Sequence, residues 1–279
     1  MNETDYTYLC DFLKERSGLS LGANKKYLVE ARLVPIAQSV NLSGLHELVE
    51  HLRRGRDEKL AVAVTEAMTT NETSFFRDRV PFDELRKFML PQICEARRVR
   101  HSLRIWSAAS STGQEAFSIA MTLKDSLPDF DQWRIEIVAT DIAQKILDRA
   151  KTGEYSQLEV QRGLPAKELV LHFEKTAIGF RVKPELQRMI RWKQLNLFDD
   201  FRGLGQFDIV FCRNVLIYFE VEDKADILGR IRNQMSDDGF LVLGAAETVI
   251  GLTDGFDRNR ACQSAVYSPA GARTLAISR

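Results

Sequence analysis

The chain has 279 residues, with 39 Lys+Arg against 39 Asp+Glu, and 44% of it is hydrophobic. That is one large domain or two smaller ones, with enough apolar residues to bury a core without cross-links. Zero net charge argues against a general nucleic-acid binder, and no apolar run approaches the roughly 18–20 residues that span a bilayer.

The first residues, Met1-Asn2-Glu3-Thr4-Asp5, are polar and acidic, so no secretory leader is expected and a cytoplasmic location is. Cys10, Cys94, Cys212 and Cys262 form no CxxC pair, which points to separate reduced thiols rather than a zinc or dithiol site.

The first 100 or so residues read as helical. Tyr6, Leu9, Phe12 and Leu13 recur at helical spacing, as do Leu45, Leu48, Val49 and Leu52. Lys25 to Val40 has the same character, with Pro35 expected to kink or divide it. Further helices are expected over about 58–68 and 81–95, the second disturbed by Pro91. The sum is a small helical bundle over residues 1–76, with a linking helix and junction over 77–102.

From Leu103 strands and helices alternate. Leu103–Trp106, Ile135–Thr140, Phe207–Cys212 and Gly239–Leu243 are strand candidates, and helices follow the first three. That pattern implies a largely parallel sheet covered on both faces, over 103–279. Residues 154–195 break the alternation with a short helix, Pro165 to His172, and strand-like pieces at 171–175, 178–182 and 190–195. They read as a small antiparallel insert, with Gly179 at the bend between the first two pieces.

Chemistry concentrates in the loops. Trp106-Ser107-Ala108-Ala109-Ser110-Ser111-Thr112-Gly113-Gln114-Glu115 joins a strand to a helix, where open α/β sheets bind ligands. It has a single glycine and places Glu115 at the helix start, which disfavours phosphate and tolerates an ammonium or sulfonium. Asp141 follows the second strand and suits either a helix N-cap or a ribose diol. Asn196, Leu197, Arg213 and Asn214 also fall at expected strand ends. An Asn amide can read an adenine edge, and an arginine after an apolar strand needs a partner or a cleft. Tyr218 adds a phenol to the apolar run Leu216-Ile217-Tyr218-Phe219, in which Ile217 and Phe219 are expected to be core.

The densest segment is Thr69-Thr70-Asn71-Glu72-Thr73-Ser74-Phe75-Phe76-Arg77-Asp78, between two helices. A capped, aromatic-anchored hinge with Arg77 paired to Asp78 is one reading, and a functional loop is the other.

Asn71-Glu72-Thr73-Ser74-Phe75-Phe76-Arg77 resembles the N-x-T-x-F-F-R signature of the CheR family, the chemotaxis receptor methyltransferases. The loop from Trp106 to Gly113, the run Ala139-Thr140-Asp141-Ile142, and the run from Phe207 to Phe219 match in the same order, so the resemblance covers nearly the whole chain. It implies an α/β protein with an N-terminal all-α helical domain and a Rossmann-like S-adenosylmethionine-dependent methyltransferase domain carrying a small antiparallel β insert. It also implies methyl transfer from S-adenosylmethionine to glutamate side chains on the cytoplasmic helices of chemoreceptors, leaving S-adenosylhomocysteine. Asn71, Thr73 and Arg77 would reach the cofactor from the front, and Glu115 would contact it. Asp141 would hold its ribose, and Asn196, Leu197, Arg213 and Asn214 would lie about the adenine end. Arg77 would steer the acceptor carboxylate and Tyr218 would orient it.

Two departures stand out. Gly113-Gln114-Glu115-Ala116-Phe117-Ser118 replaces the Gly-Glu-Glu-Pro-Tyr-Ser of many members but keeps the second glutamate. The turn Lys175–Gly179 is short where some relatives carry a longer loop that grips a peptide at the receptor C-terminus, so no strong peptide tethering is expected. Lys25, Lys26, Arg32, Arg53, Arg54 and Arg56 could steer an acidic receptor helix, or simply form a solvated surface balanced by nearby carboxylates. No metal, nucleic acid or membrane insertion is expected. Two rival readings each lack a feature here, and a third leaves residues unexplained. An NAD-dependent oxidoreductase needs a glycine-rich phosphate loop, and an amino-methylating DNA or RNA enzyme needs an Asn/Asp-Pro-Pro-aromatic motif. A non-catalytic interaction module has no need of Asn71, Arg77, Glu115 and Asp141 together.

Overall fold

The computed structural model describes residues 1–272; positions 273–279, the end of the expected α/β unit, lie outside the described residues. The front is helical: α1 (Glu3–Ser17), α2 (Lys26–Ser39), α3 (Leu45–Arg53) and α4 (Glu58–Met68). Asn2 caps α1 by accepting from the Asp5 N–H at 2.7 Å, and Asp57 caps α4 by accepting from Leu60 at 3.0 Å. Leu9, Leu13, Val29, Leu33, Leu48 and Val64 pack together as the core of this bundle. Pro35 does not divide α2, which runs as one helix through it. Pro91 is absorbed differently. Between α5 (Val80–Glu84) and α6 (Leu90–Ala96) the helix widens into a π turn, Leu85–Met89, and Leu90 N–H reaches back to Leu85 O. A widened turn makes room for a ring that would press on the preceding carbonyls.

The main sheet contains β1 (Ser102–Ala108), β2 (Arg134–Asp141), β6 (Ile190–Gln194), β7 (Phe207–Cys212), β8 (Met235–Leu243), β9 (Phe256–Arg258) and β10 (Val266–Pro269), in the order β6-β2-β1-β7-β8-β10-β9. The pairs β1·β2, β2·β6, β1·β7 and β7·β8 are parallel, while β8·β10 and β10·β9 are antiparallel. Helices α7 (Gln114–Ser126), α8 (Gln144–Thr152) and α12 (Val221–Asn233) make the crossovers. The chain proceeds outward from β1 in both directions, so the switch point, and the natural ligand crevice, lies at the carboxyl ends of β1 and β7. One face is covered by Phe82, Leu85, Phe117 and Ile119, and the other by Phe201, Ile227, Leu228 and Ile231.

The insert differs in one member from the sequence expectation. Its sheet is β3-β5-β4, built from β3 (Glu154–Tyr155), β4 (Phe173–Lys175) and β5 (Phe180–Val182), all antiparallel. The third expected piece, around 190–195, is instead the parallel edge strand β6 of the main sheet. Its apolar–polar alternation does not reveal which sheet it joins. Three short helices complete the region: α9 (Gln157–Gln161), α10 (Ala166–His172) and α11 (Pro184–Gln187). Among the described residues no helix is long and apolar enough to cross a membrane. All four cysteines are free.

Candidate active site

A cleft opens at the carboxyl ends of β1, β2, β6 and β7, under the helical front. Its lining includes every residue singled out from the sequence: Asn71, Thr73, Arg77, Glu115, Asp141, Asn196, Leu197, Arg213, Asn214 and Tyr218.

The 71–78 segment is pinned by its aromatics. Phe75 is fully buried, edge-on to Tyr155 at 4.8 Å and to Phe173 at 5.6 Å. Phe76 N–H donates to Ser118 Oγ at 2.9 Å, and Asn71 O accepts from Ser111 Oγ at 2.8 Å. The insert closes on the same segment: Arg162 pairs with Glu72, and a Cβ on Gly163 would stand 2.1 Å from Phe75 O. Arg77 does not pair with Asp78, as the hinge reading required; its guanidinium donates to Glu72 O at 3.1 Å and meets no carboxylate among the described residues. The helix that follows has Arg79 at its N-cap with no side-chain cap bond, so Asn71 and Thr73 are not its caps.

Asp78 instead joins an ion-pair chain centred on a buried arginine. Arg213, whose side chain is 1% exposed, donates through Nη2 to Asp78 Oδ2 at 2.7 Å and through Nη1 to Glu115 Oε2 at 3.1 Å. Glu115 Oε1 accepts from Ser107 Oγ at 2.9 Å. Burial pushes the Glu115 carboxyl above its ordinary range, while Arg213 and Ser107 pull it back. Arg213 therefore sits beside Glu115 and is committed there. The cost of an arginine after an apolar strand is met by pairing.

Asp141 is more than a helix cap. Its Oδ2 accepts from Ser111 N–H at 2.9 Å and its Oδ1 from Ala143 N–H at 3.0 Å, tying the β1 loop to the β2 loop. Ala143, not Asp141, occupies the N-cap of α8. Each oxygen keeps a second lone pair. Burial raises this carboxyl too, against the pull of those N–H groups. The β1 loop turns tightly, with Ala109, Ser111 and Gly113 at φ 53°, 50° and 92°. A Cβ on Gly113 would stand 2.7 Å from Trp192 Cη2, which explains the loop's single glycine.

Asn196 spends its amide on structure. Nδ2 donates to Arg16 O at 2.7 Å and Oδ1 accepts from Phe198 N–H at 3.1 Å, joining α1 to the sheet. Leu197 is buried wall. Asn214 takes φ 59°. The 214–216 turn is held by Glu247, which sequence reading missed. Its carboxylate accepts from Asn214, Val215 and Leu216 N–H at 2.7, 2.9 and 2.7 Å, and from Gly244 N–H at 2.7 Å. The available signal was its place, a carboxylate just beyond β8 in Ala-Ala-Glu-Thr. Tyr218, two residues past the turn, accepts the Ser20 N–H at its carbonyl and leaves its phenol free of hydrogen bonds among the described residues. Ile217 is 47% exposed, not the core residue the sequence suggested, while Phe219 packs against Phe198 at 5.5 Å. Cys212, at the end of β7, is fully buried, which raises its thiol well above the ordinary range and makes it inert.

This donor set suits a cationic nucleoside better than a phosphate. Two buried carboxylates line the cleft, and no lysine or histidine does among the described residues. Two buried polar atoms of the lining, Ser110 Oγ and Arg213 Nε, lack any partner. Leu19, Ile142, Leu195 and Val215 supply apolar wall. A diol can use the free lone pairs of Asp141, and an ammonium those of Glu115.

Comparison with known proteins decides the class. Residues 4–69 match the family model of the CheR methyltransferase all-alpha domain, and residues 71–264 that of the CheR methyltransferase SAM binding domain. The chain belongs to the CheR methyltransferase family. It is 38% identical over 275 residues to a chemotaxis protein methyltransferase of Vibrio anguillarum, covering 96% of this chain and 97% of that protein. It is 39% identical over 267 residues to chemotaxis protein methyltransferase 1 of Pseudomonas aeruginosa, covering 94% and 97%. A chemotaxis protein methyltransferase of Borreliella burgdorferi is 31% identical over 242 residues, covering 84% of each. This CheR methyltransferase is thus an S-adenosylmethionine-dependent enzyme of chemotaxis, and the cleft chemistry fits that cofactor.

Proposed function

We propose that the chain transfers a methyl group from S-adenosylmethionine to glutamate carboxylates on the helical cytoplasmic region of chemoreceptors, giving glutamate methyl esters. The observation that carries this is a cleft with a cation, Arg77, that pairs with no carboxylate among the described residues, and a phenol, Tyr218, free of hydrogen bonds there, but no histidine, lysine or cysteine in its described lining. A carboxylate acceptor is already ionised near neutral pH and needs no base, whereas an amine or alcohol acceptor would.

The cofactor, when bound, supplies an electrophilic methyl on a positively charged sulfur. The chain's work is placement. Asp141 holds the ribose diol and Glu115 faces the ammonium. Asn71 and Thr73 close the front of the cleft, Leu197 and Asn214 wall the adenine side, and Asn196 braces that wall from α1. Arg213 fixes Glu115 and brackets the reacting end. Arg77 draws in the acceptor carboxylate and Tyr218 donates to one of its oxygens, leaving the other aimed at the methyl. Proximity and alignment then supply most of the rate. The short Thr176–Gly179 turn, closed by a 2.8 Å Thr176 N–H to Gly179 O bond, supports the absence of tethering to a receptor C-terminal peptide. Of the basic residues in the front, Arg32 is occupied with Met68 O and Thr69 O at 2.8 Å each, and Arg53 stacks on Tyr8 at 4.7 Å. Arg54 and Arg56 are exposed and take part in no ion pair among the described residues, so they are better suited to steering an acidic helix from the cytoplasm.

Incubation with methyl-labelled S-adenosylmethionine and a receptor cytoplasmic fragment tests the reading. Label should pass to the fragment and leave as methanol in mild alkali. Alkali-stable label would refute ester formation.

A further inference from the structure

Helix α7 begins in the cleft at Glu115 and ends, on the far side of the domain, at a cluster outside the methyl-transfer site. Asp125 stands in its last turn. Glu168 and His172 face it from α10, four residues apart and so on one helical face. His172 Nε2 lies 3.1 Å from Asp125 Oδ1 and 3.3 Å from Glu168 Oε2. One ligand atom from each of the three residues falls within 4.8 Å of the others.

Two carboxylates thus converge on one imidazole nitrogen, which can carry a single proton. Its contact with Asp125 qualifies as a hydrogen bond. The Glu168 oxygen does not share in it: Oε2 is buried, has no hydrogen-bond partner, and belongs to a residue only 8% exposed. His172 is 4% exposed. A buried carboxylate oxygen aimed at an imidazole nitrogen and a second carboxylate, with nothing donated to it, is an acceptor awaiting a positive centre.

We propose that Asp125, Glu168 and His172 form a site for a first-row divalent cation of the zinc or manganese type, clamping the insert to the end of α7. The ion would take the place of the proton on Nε2, bound through Nε2, one oxygen of Asp125 and Oε2 of Glu168. Ligand distances of about 2.0–2.2 Å around a tetrahedral ion separate neighbouring ligand atoms by about 3.3–3.6 Å, a few tenths of an ångström wider than the N···O spacings seen. One nitrogen and two oxygens favour such an ion over magnesium, which prefers oxygen and water, and over copper(I), which prefers sulfur. Asp125 is the most exposed of the three, with a side chain 22% exposed, so it gives the ion its way in and leaves room for water as a further ligand. The consequence is mechanical. The insert, which also touches the Asn71–Asp78 segment through Arg162 and Gly163, would be fastened to the helix that carries Glu115.

The test uses the untagged full chain, stripped with chelator and titrated with zinc, manganese or cobalt(II) chloride. Calorimetry should show one equivalent bound, and cobalt(II) should give visible absorption bands characteristic of mixed nitrogen and oxygen coordination. Asp125→Asn and His172→Gln should each weaken binding at least tenfold and abolish those bands. Asp125→Asn, altering the more exposed ligand, should leave the circular dichroism spectrum and S-adenosylhomocysteine affinity of the metal-free protein unchanged. No stoichiometric binding by the wild-type chain, or equal binding by both variants, would overturn the assignment.

Discussion

Arg213 grips Glu115 and Asp78 from one buried guanidinium, at 3.1 and 2.7 Å, and so links the first turn of α7, the end of β7 and the segment that follows the front helices. Removing it leaves two carboxylates without their common partner. Arg213→Ala should cost about 3 kcal/mol of unfolding free energy in urea, because it leaves the buried Glu115 carboxyl without its partner, whereas Asp78, with a side chain 45% exposed, regains water. Arg213→Lys cannot fork to both partners and should fall between. Wild-type stability in both variants would show that the pair contributes nothing net.

Glu247 is a second structural carboxylate with a local consequence. It satisfies four backbone N–H groups around the 214–216 turn and at Gly244. Glu247→Ala should lower stability by at least about 2 kcal/mol, since buried donors left unmade cost about 1–3 kcal/mol each. It should also lower kcat more than it raises the KM for cofactor, because Tyr218 hangs from the same turn. An unchanged kcat would separate the turn from the chemistry.

Much of this site is legible in the sequence because its residues follow strands. Asp141 is the last residue of β2 and Arg213 stands just beyond β7, where a parallel sheet must open. Glu247 stands just beyond β8 in the same way, but its loop carries no recognisable motif, and its role as an acceptor from four N–H groups exists only once the turn is folded. The partner of Arg213 was equally hidden: adjacency in sequence suggested Arg77 for Asp78, whereas the left-handed backbone at Asp78 (φ 68°) belongs to a chain bend that sequence adjacency does not reveal. The front bundle and the central strands were readable from periodicity. Strand β6 was readable as a strand but not as a member of the main sheet, since a short edge strand has the same pattern in either sheet, and β9 and β10 are too short to show a period.

The raised Glu115 carboxyl makes a pH prediction. Burial favours its neutral form in the folded state, so its stabilising contribution is complete below about pH 4.5 and is lost as pH rises through the higher folded value. Cofactor binding runs the other way, because an ammonium needs the ionised form. The affinity for S-adenosylhomocysteine should therefore fall on acidification with a midpoint above 4.5, and Glu115→Gln should bind weakly at every pH. Calorimetry across the range from pH 4 to 8 checks both. An affinity flat with pH would remove Glu115 from the ammonium site.

Arg77 and Tyr218 should separate kinetically. Arg77→Ala should raise the KM for receptor and make turnover less sensitive to salt, as loss of a steering charge does. Tyr218→Phe should lower kcat by roughly tenfold or more, the scale of one lost hydrogen-bond donor at a reacting centre, with cofactor affinity intact. If both variants turn over at full rate with saturating cofactor and receptor, neither residue handles the acceptor.

Glutamate methylation itself is tested most directly by mapping the methyl group on a receptor cytoplasmic fragment with tandem mass spectrometry. The expected result is the mass of one CH₂ added at glutamate residues of a helical segment, removed by mild alkali, absent when those glutamates are replaced by glutamine, and absent with an Asp141→Ala enzyme. A methyl group found on nitrogen or sulfur, or one that persists when the glutamates are gone, would contradict it.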